Sequence, residues 1–207
     1  MERWATFDCY GTLIDWEGGI SRELERLFGS ADLRPRYHEI ERAVQAEQPA
    51  LSYRAVMAEV MRHLGAPAGE EHGLGNSLPD WPPFPEVPAA LREARRRGWK
   101  LAILSNTDRD YIEASMRRIG APFELAVVAS EIGSYKPALG HWRAFERETG
   151  RLPTVHVGAS VFHDVAPATA LGVPTVWVNR LGETGETRPS REIPDLAPLP
   201  AALDELA

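Results

Sequence analysis

The sequence predicts an α/β fold: a Rossmann-like parallel sheet with helices on both faces, interrupted by an inserted α-helical cap domain. Three observations predict it. Beyond residue 84, short near-continuous apolar segments alternate with helical ones, the pattern of a parallel sheet covered on both faces. One more strand-like segment, Trp4-Ala5-Thr6-Phe7, stands alone at the N-terminus and cannot form a sheet by itself. Between them lies Trp81-Pro82-Pro83-Phe84-Pro85, whose proline density resists helix and sheet interiors and favours a stiff connection. Two aromatics interleave these prolines and α/β segments follow at once, which favours a hinge over a ligand for a proline-binding module. Residues 1–14 and 85–207 are therefore expected to form the core, and residues 15–84 the cap.

Each element has its own signal. From Trp16 to Phe28, the apolar residues Ile20, Leu24, Leu27 and Phe28 follow helical spacing, and Gly29 ends the segment. Arg36 to Glu47 and Ser52 to Leu64 read as two more cap helices, separated by a turn at Gln48-Pro49-Ala50. The second carries Tyr53, Val56, Met57, Val60, Met61 and Leu64 along one face. Residues 66–79 allow a short helix. In the core, helices are expected at Val87 to Arg97, Tyr111 to Ile119, His141 to Glu148 and Asp164 to Leu171. Strands are expected at Lys100–Leu104, Leu125–Val128, Val155–Val157 and Thr175–Val178. Gly182 to Pro194, with Arg188 and Arg191, reads as a solvated polar loop before a final helix at Leu199–Leu206.

Composition bounds the function. With 207 residues, 43% hydrophobic and 26% charged, the chain has the make-up of an ordinary globular protein with a sizeable core. A net charge of −7 argues against a nucleic-acid partner. No apolar run approaches the roughly 20 residues that span a bilayer. Met1-Glu2-Arg3-Trp4 runs straight into the first strand without a signal-peptide pattern, so a cytoplasmic protein is expected. The single cysteine, Cys9, excludes an intramolecular disulfide and a cysteine-rich zinc site. It reads as a small buried hydrophobe whose side chain points away from that of its neighbour Asp8.

Chemistry gathers at the strand ends. Ligands of open α/β sheets sit outside the carboxyl ends of the strands. Asp8 follows the first strand there, Gly11 allows a sharp turn and Thr12 adds a hydroxyl. Ser105-Asn106, Lys136, and Ser160 through Asp164 end at the same edge. A nucleophile, hydrogen-bond donors, a cation and a second carboxylate thus converge. Each also has a plainer reading: Thr12 and Ser105 as turn residues, Lys136 as a surface pair, Asp164 as a helix N-cap.

The motifs carry a resemblance. Asp8-Cys9-Tyr10-Gly11-Thr12-Leu13 resembles the first motif of the haloacid dehalogenase superfamily, in the form found in its dehalogenase branch. Leu104-Ser105-Asn106, Tyr135-Lys136-Pro137 and Gly158 to Asp164 resemble the second, third and fourth motifs, in order. The resemblance implies that Asp8 attacks a substrate carbon to form an aspartyl ester, which water then hydrolyses. It implies that Lys136 keeps Asp8 ionised, and that Asp164 pairs with Lys136 and orients or activates the water. Thr12 would hydrogen-bond near Asp8 and Tyr10 would close the pocket. Ser105 and Asn106 would hold the substrate carboxylate, with Ser160 and His163 also on the substrate side.

Departures from the pattern choose between reactions. Phosphatases of the superfamily usually carry a second aspartate where this chain has Tyr10, and a metal-binding aspartate where it has Ala159. Tyrosine, with an ordinary pKa of about 10, is a poor acid at neutral pH. Metal-independent attack on carbon is expected, with no cofactor; magnesium would be needed only by a phosphatase. Known dehalogenases receive the halide on a cap arginine, which Val44 to Gln48 lacks, although Arg42 and Arg54 lie near. Val161 stands where dehalogenases commonly have asparagine. The run from His156-Val157 through His163-Asp164-Val165-Ala166-Pro167-Ala168 resembles instead a subgroup that includes an azetidine-2-carboxylate hydrolase, and Glu47 or His163 at the pocket mouth would suit protonation of a ring amine. The expected activity is 2-haloacid dehalogenation of a small carboxylic acid. Ring opening, magnesium-dependent phosphate hydrolysis and a non-catalytic binding role are the alternatives. Apolar cap faces suggest a homodimer.

Overall fold

The computed structural model describes residues 2–207. Six strands lie among them: β1 (Arg3–Phe7), β2 (Trp99–Ser105), β3 (Leu125–Val128), β4 (Val155–Gly158), β5 (Thr175–Val178) and β6 (Arg191–Ile193). They form one sheet in the order β3-β2-β1-β4-β5-β6, and every neighbouring pair is parallel. The chain builds outward from β1 to β3, then returns to lay β4 on the other side of β1. That reversal is the switch point at which parallel sheets open a crevice beyond their carboxyl ends. Asp8 follows β1 at that point.

Alternation along β1 explains why helices cover both faces. Ala5 and Phe7 point into the larger hydrophobic core, with Leu91 of α5 (Val87–Arg96), Ile112 of α6 (Arg109–Ile119) and Leu203 of the C-terminal helix (Leu199–Glu205). Trp4 points into a second cluster, with Trp142 and Phe145 of the helix Gly140–Thr149. Each large apolar side chain buried this way contributes about 1.5–3 kcal/mol. Period-two strands between two helical layers are the arrangement the sequence predicts.

The insertion between β1 and α5 is helical: α1 (Trp16–Phe28), α2 (Arg34–Glu47), α3 (Tyr53–His63), α4 (Gly73–Ser77) and a 3₁₀ turn at Leu78–Asp80. Asp15 caps α1 by accepting from Gly18 N–H at 3.0 Å, and Ser52 caps α3 by accepting from Ala55 N–H at 3.2 Å. The two connections to the core pair with each other. Ile14 and Pro83 form an antiparallel bridge, Asp15 N–H donates to Pro82 at 2.9 Å, and Phe84 N–H donates to Leu13 at 3.0 Å. The apolar face of α3 is buried within the chain, so the feature that suggested a dimer is satisfied internally.

Two expectations are corrected. The segment Gly182–Pro194 is not all loop, since β6 arises in it and pairs with β5 through Val176–Arg191, Trp177–Glu192 and Val178–Ile193. Only Ile193 of β6 is buried, so this edge strand lacks the apolar run by which strands are recognised. The helix expected from Asp164 begins earlier, as a π-helical turn at Val161–Val165 that continues into Ala166–Ala170. Ser160 is its N-cap, accepting from His163 N–H at 3.1 Å, so Asp164 is freed from capping. A further short helix, Ala129–Ile132, follows β3 directly.

Candidate active site

The turn after β1 fixes its carboxylate from three sides. Asp8 N–H still belongs to the sheet, donating to Val157 at 2.9 Å. Gly11 adopts φ +87°, the left-handed region that side chains rarely enter, and reverses the chain. Thr12 then returns its hydroxyl to Asp8 Oδ2 at 3.1 Å, while accepting from Ala159 N–H at 2.9 Å. Lys136 Nζ donates to Asp8 Oδ1 at 2.8 Å and to Asp164 Oδ1 at 2.6 Å. The ammonium is buried between two carboxylates, unlike a surface pair.

Further residues hold that ammonium. Asn106 accepts from Lys136 N–H at 2.6 Å and donates to Lys136 C=O at 3.0 Å. Both ends of its amide are thus engaged by the lysine backbone, and Asn106 also lines the cavity where the sequence suggested a substrate contact. His156, which sequence reasoning missed, lies with Nε2 3.3 Å from Asp164 Oδ1 and Nδ1 2.9 Å from Thr6 Oγ1. Ionised Asp164 only accepts, so Nε2 carries the proton and Thr6 donates to Nδ1. Gly158 leaves room for the turn at 161–165 to fold back, since a Cβ there would collide with Asp164.

Burial sets the charges. Asp8 is raised to about 6 by desolvation, with the Asp164 charge adding to the rise and Lys136 opposing it. Lys136 acts in the expected direction, favouring the ionised form, but removal from water outweighs it. Asp164 is held well below the usual carboxylate range because Lys136 and His156 together outweigh its burial. Lys136 is raised, its two carboxylates overcoming desolvation. Burial pushes the Cys9 thiol well above its ordinary value, consistent with a packing role.

Asp8 opens into a cavity of about 490 Å³. Ser105 lines it with a buried hydroxyl that has no protein partner, a donor available to a ligand. Tyr10 stacks on Tyr53 with ring centroids 6.3 Å apart, its hydroxyl 3.1 Å from Ser115 Oγ. His163 reaches the wall with Nδ1 3.1 Å from Ser160 Oγ, and burial lowers it to about 4. Arg42 lies on the wall, but Arg54 does not: it pairs with Asp110 at 2.6 Å and covers the Tyr111 ring. Glu47 is exposed and off the cavity; Glu41, one and a half turns earlier, is the glutamate that lines it. Arg180 was also missed. It donates to Thr12 C=O at 3.0 Å and to Glu86 at 2.6 Å.

The donor set does not fit a magnesium site. Ala159 offers a methyl group where a hard oxygen ligand is needed, and Tyr10 offers a neutral phenol. Among the described residues, no group of three or more acidic, histidine or cysteine side chains could hold a metal ion. Nor is any helix among them long and apolar enough to cross a membrane.

Comparison with known proteins matches this geometry to a family. The model of the haloacid dehalogenase-like hydrolases matches residues 3–172. An (S)-2-haloacid dehalogenase of Pseudomonas sp. strain YL is 31% identical, over 92% of this chain and 89% of its own. (S)-2-Haloacid dehalogenase H-109 of Pseudomonas putida is 29% identical over 92% of both chains. The crystal structure of an L-2-haloacid dehalogenase superposes with a TM-score of 0.84 at 25% identity, covering 98% of this chain and 99% of the other. With an aspartate-lysine-aspartate cluster at the switch point of such a sheet, and a family model that matches residues 3–172, the protein is a member of the haloacid dehalogenase-like hydrolase family.

Proposed function

We propose that the protein is a metal-independent 2-haloacid dehalogenase acting on a small carboxylic acid. Asp8 displaces the halide from C2 and forms an aspartyl ester. Water adds at the ester carbonyl, releasing a 2-hydroxy acid and restoring the carboxylate. Ser105 receives the substrate carboxylate, Thr12 orients Asp8, and Lys136 offsets charge at the reacting oxygens. Asp164 fixes Lys136 and directs the water, while Asn106 positions Lys136 through its backbone. Tyr10, Ser160 and His163 shape the pocket. Residues 15–84 serve as a cap over a core of residues 1–14 and 85–207. The cytoplasm is the expected compartment, and a homodimer is open to a mass measurement.

The observation that carries this reading is the Lys136 ammonium bridging Asp8 and Asp164 beneath a cavity with no magnesium-type donor set. The dehalogenase relatives support the choice of a halide as leaving group. The test is chloride release from L-2-chloropropionate, measured with EDTA and with magnesium. Release indifferent to both, and abolished in Asp8→Asn, is expected. Hydrolysis of p-nitrophenyl phosphate that requires magnesium, without chloride release, would overturn the reading.

A further inference from the structure

We propose that Glu41 is the acid that meets the leaving group, giving a hydrogen bond or a proton to the departing atom as Asp8 displaces it. The proposal rests on the displacement reaction proposed above and names what faces the substrate from the other side of the cavity.

Glu41 lies on the buried stripe of α2, four residues after Tyr37 and four before Gln45. It lines the same cavity as Asp8. Its Oε1 accepts from the Tyr53 hydroxyl at 2.8 Å, and Tyr53 in turn accepts from Trp16 Nε1 at 3.2 Å. Tyr53 is the only hydrogen-bond donor on the carboxyl among the described residues, and Oε1 takes it. Nor does Glu41 form an ion pair there. The basic side chains around it are otherwise placed: His38 Nε2 sits 2.9 Å from Glu17, Arg34 sits 3.6 Å from Glu17, and Arg42 is exposed at the cavity edge.

A buried carboxyl without a cation favours its neutral form. Desolvation raises Glu41 to about 7; His38, Tyr53 and Arg42 oppose the rise, and Glu17 adds to it. The remaining titratable neighbour is Tyr37, raised first by its own burial and then by the nearby Glu41 carboxyl, and so a neutral phenol. As an acid, Glu41 can donate to a departing atom. As a carboxylate it would repel a departing anion.

The step balances. An Asp8 oxygen bonds to C2, and the C2–X bond breaks with its electron pair on X. X then takes the hydrogen bond or proton of Glu41. Hydrolysis of the ester by water releases one proton, which restores the acid. A weakly basic leaving group such as bromide gains little from this help. Fluoride gains much, and so would an alkoxide. The wall therefore favours 2-substituted acids whose leaving atom is basic.

The experiment compares wild type with Glu41→Gln and Glu41→Leu on 2-bromo-, 2-chloro- and 2-fluoropropionate, recording kcat and KM. Glutamine keeps the acceptor for Tyr53 and the shape but puts a weaker amide donor, unable to pass on its proton, in place of the acid, and leucine removes the donor altogether. Glu41→Gln is expected to lose about 10²-fold in kcat on the fluoride, the lower range for general acid catalysis. On the bromide the expected loss is about 3-fold or less. Wild-type turnover of the fluoride should fall above about pH 7, and Glu41→Gln should lack that fall. Equal losses on all three substrates, or wild type that turns over bromide and chloride but never fluoride, would overturn the proposal alone. Release of no halide by wild type would overturn the dehalogenase reading and this inference with it.

Discussion

The floor and the wall of the cavity handle buried charge in opposite ways. On the floor, Asp8 and Asp164 share one ammonium, and a histidine donates to Asp164 as well. On the wall, Glu41 has a tyrosine and, among the described residues, no cation in ion-pair reach. The floor is built by segments beyond the carboxyl ends of the strands, and the Glu41 side of the wall by a helix of the insertion. Pairing keeps Asp164 ionised, whereas the absence of a cation leaves Glu41 near neutrality. A single cavity thus brings together a carboxylate paired with an ammonium and a carboxyl paired with a phenol.

Substitutions can break this contrast in graded steps. Asp8→Asn removes the floor's nucleophile, and turnover should fall by at least about 10⁴-fold, measured as halide release. Lys136→Met leaves two buried carboxylates without their cation. A loss of about 3–5 kcal/mol in denaturant unfolding is expected, with activity down by about 10²-fold or more. Between wild type and these variants, pH titrates the floor directly. With Asp8 raised to about 6, kcat/KM should fall about tenfold per pH unit below that value.

Folding stability reports a neighbouring histidine in the same pH range. Burial lowers His141 to about 3, below the unfolded value of about 6.5. Between those values the unfolded chain binds a proton that the folded one refuses. Stability should therefore decline as pH drops from about 6.5 toward 3, seen as a falling Tm. The smallest effect belongs to the wall. Tyr53→Phe removes one hydrogen bond, worth about 1 kcal/mol, and should move Glu41 further up without shifting the acid limb set by Asp8. A shift of that limb would mean that floor and wall titrate as one unit.

Legibility in the sequence followed the same division. Asp8, Lys136 and Asp164 could be read because each follows or faces the end of a strand with a clear apolar signal. The cap helices were legible too, with α1 found at its observed limits, Trp16–Phe28. Glu41 was passed over for Glu47 because a glutamate in an amphipathic helix ordinarily faces water. The available signal was its spacing from Tyr37, which puts a carboxyl on the buried stripe. Asn106 and His156 act through other residues, and no local pattern reveals such contacts. The upward shift of Asp8 was missed because proximity to a lysine is easier to foresee than the cost of desolvation.

Ala159 carries a consequence of another kind. Its N–H is held by Thr12 Oγ1 and its C=O by Trp177 Nε1 at 2.9 Å, so the loop's path is secured through its backbone. The side chain at 159 is left with little structural duty. Natural selection could therefore exchange it without rebuilding the loop, and an aspartate there would add the hard oxygen ligand that a magnesium ion needs. Carbon and phosphorus lie only a few codons apart on such a scaffold, with Ala159 and Tyr10 as two of the steps between them.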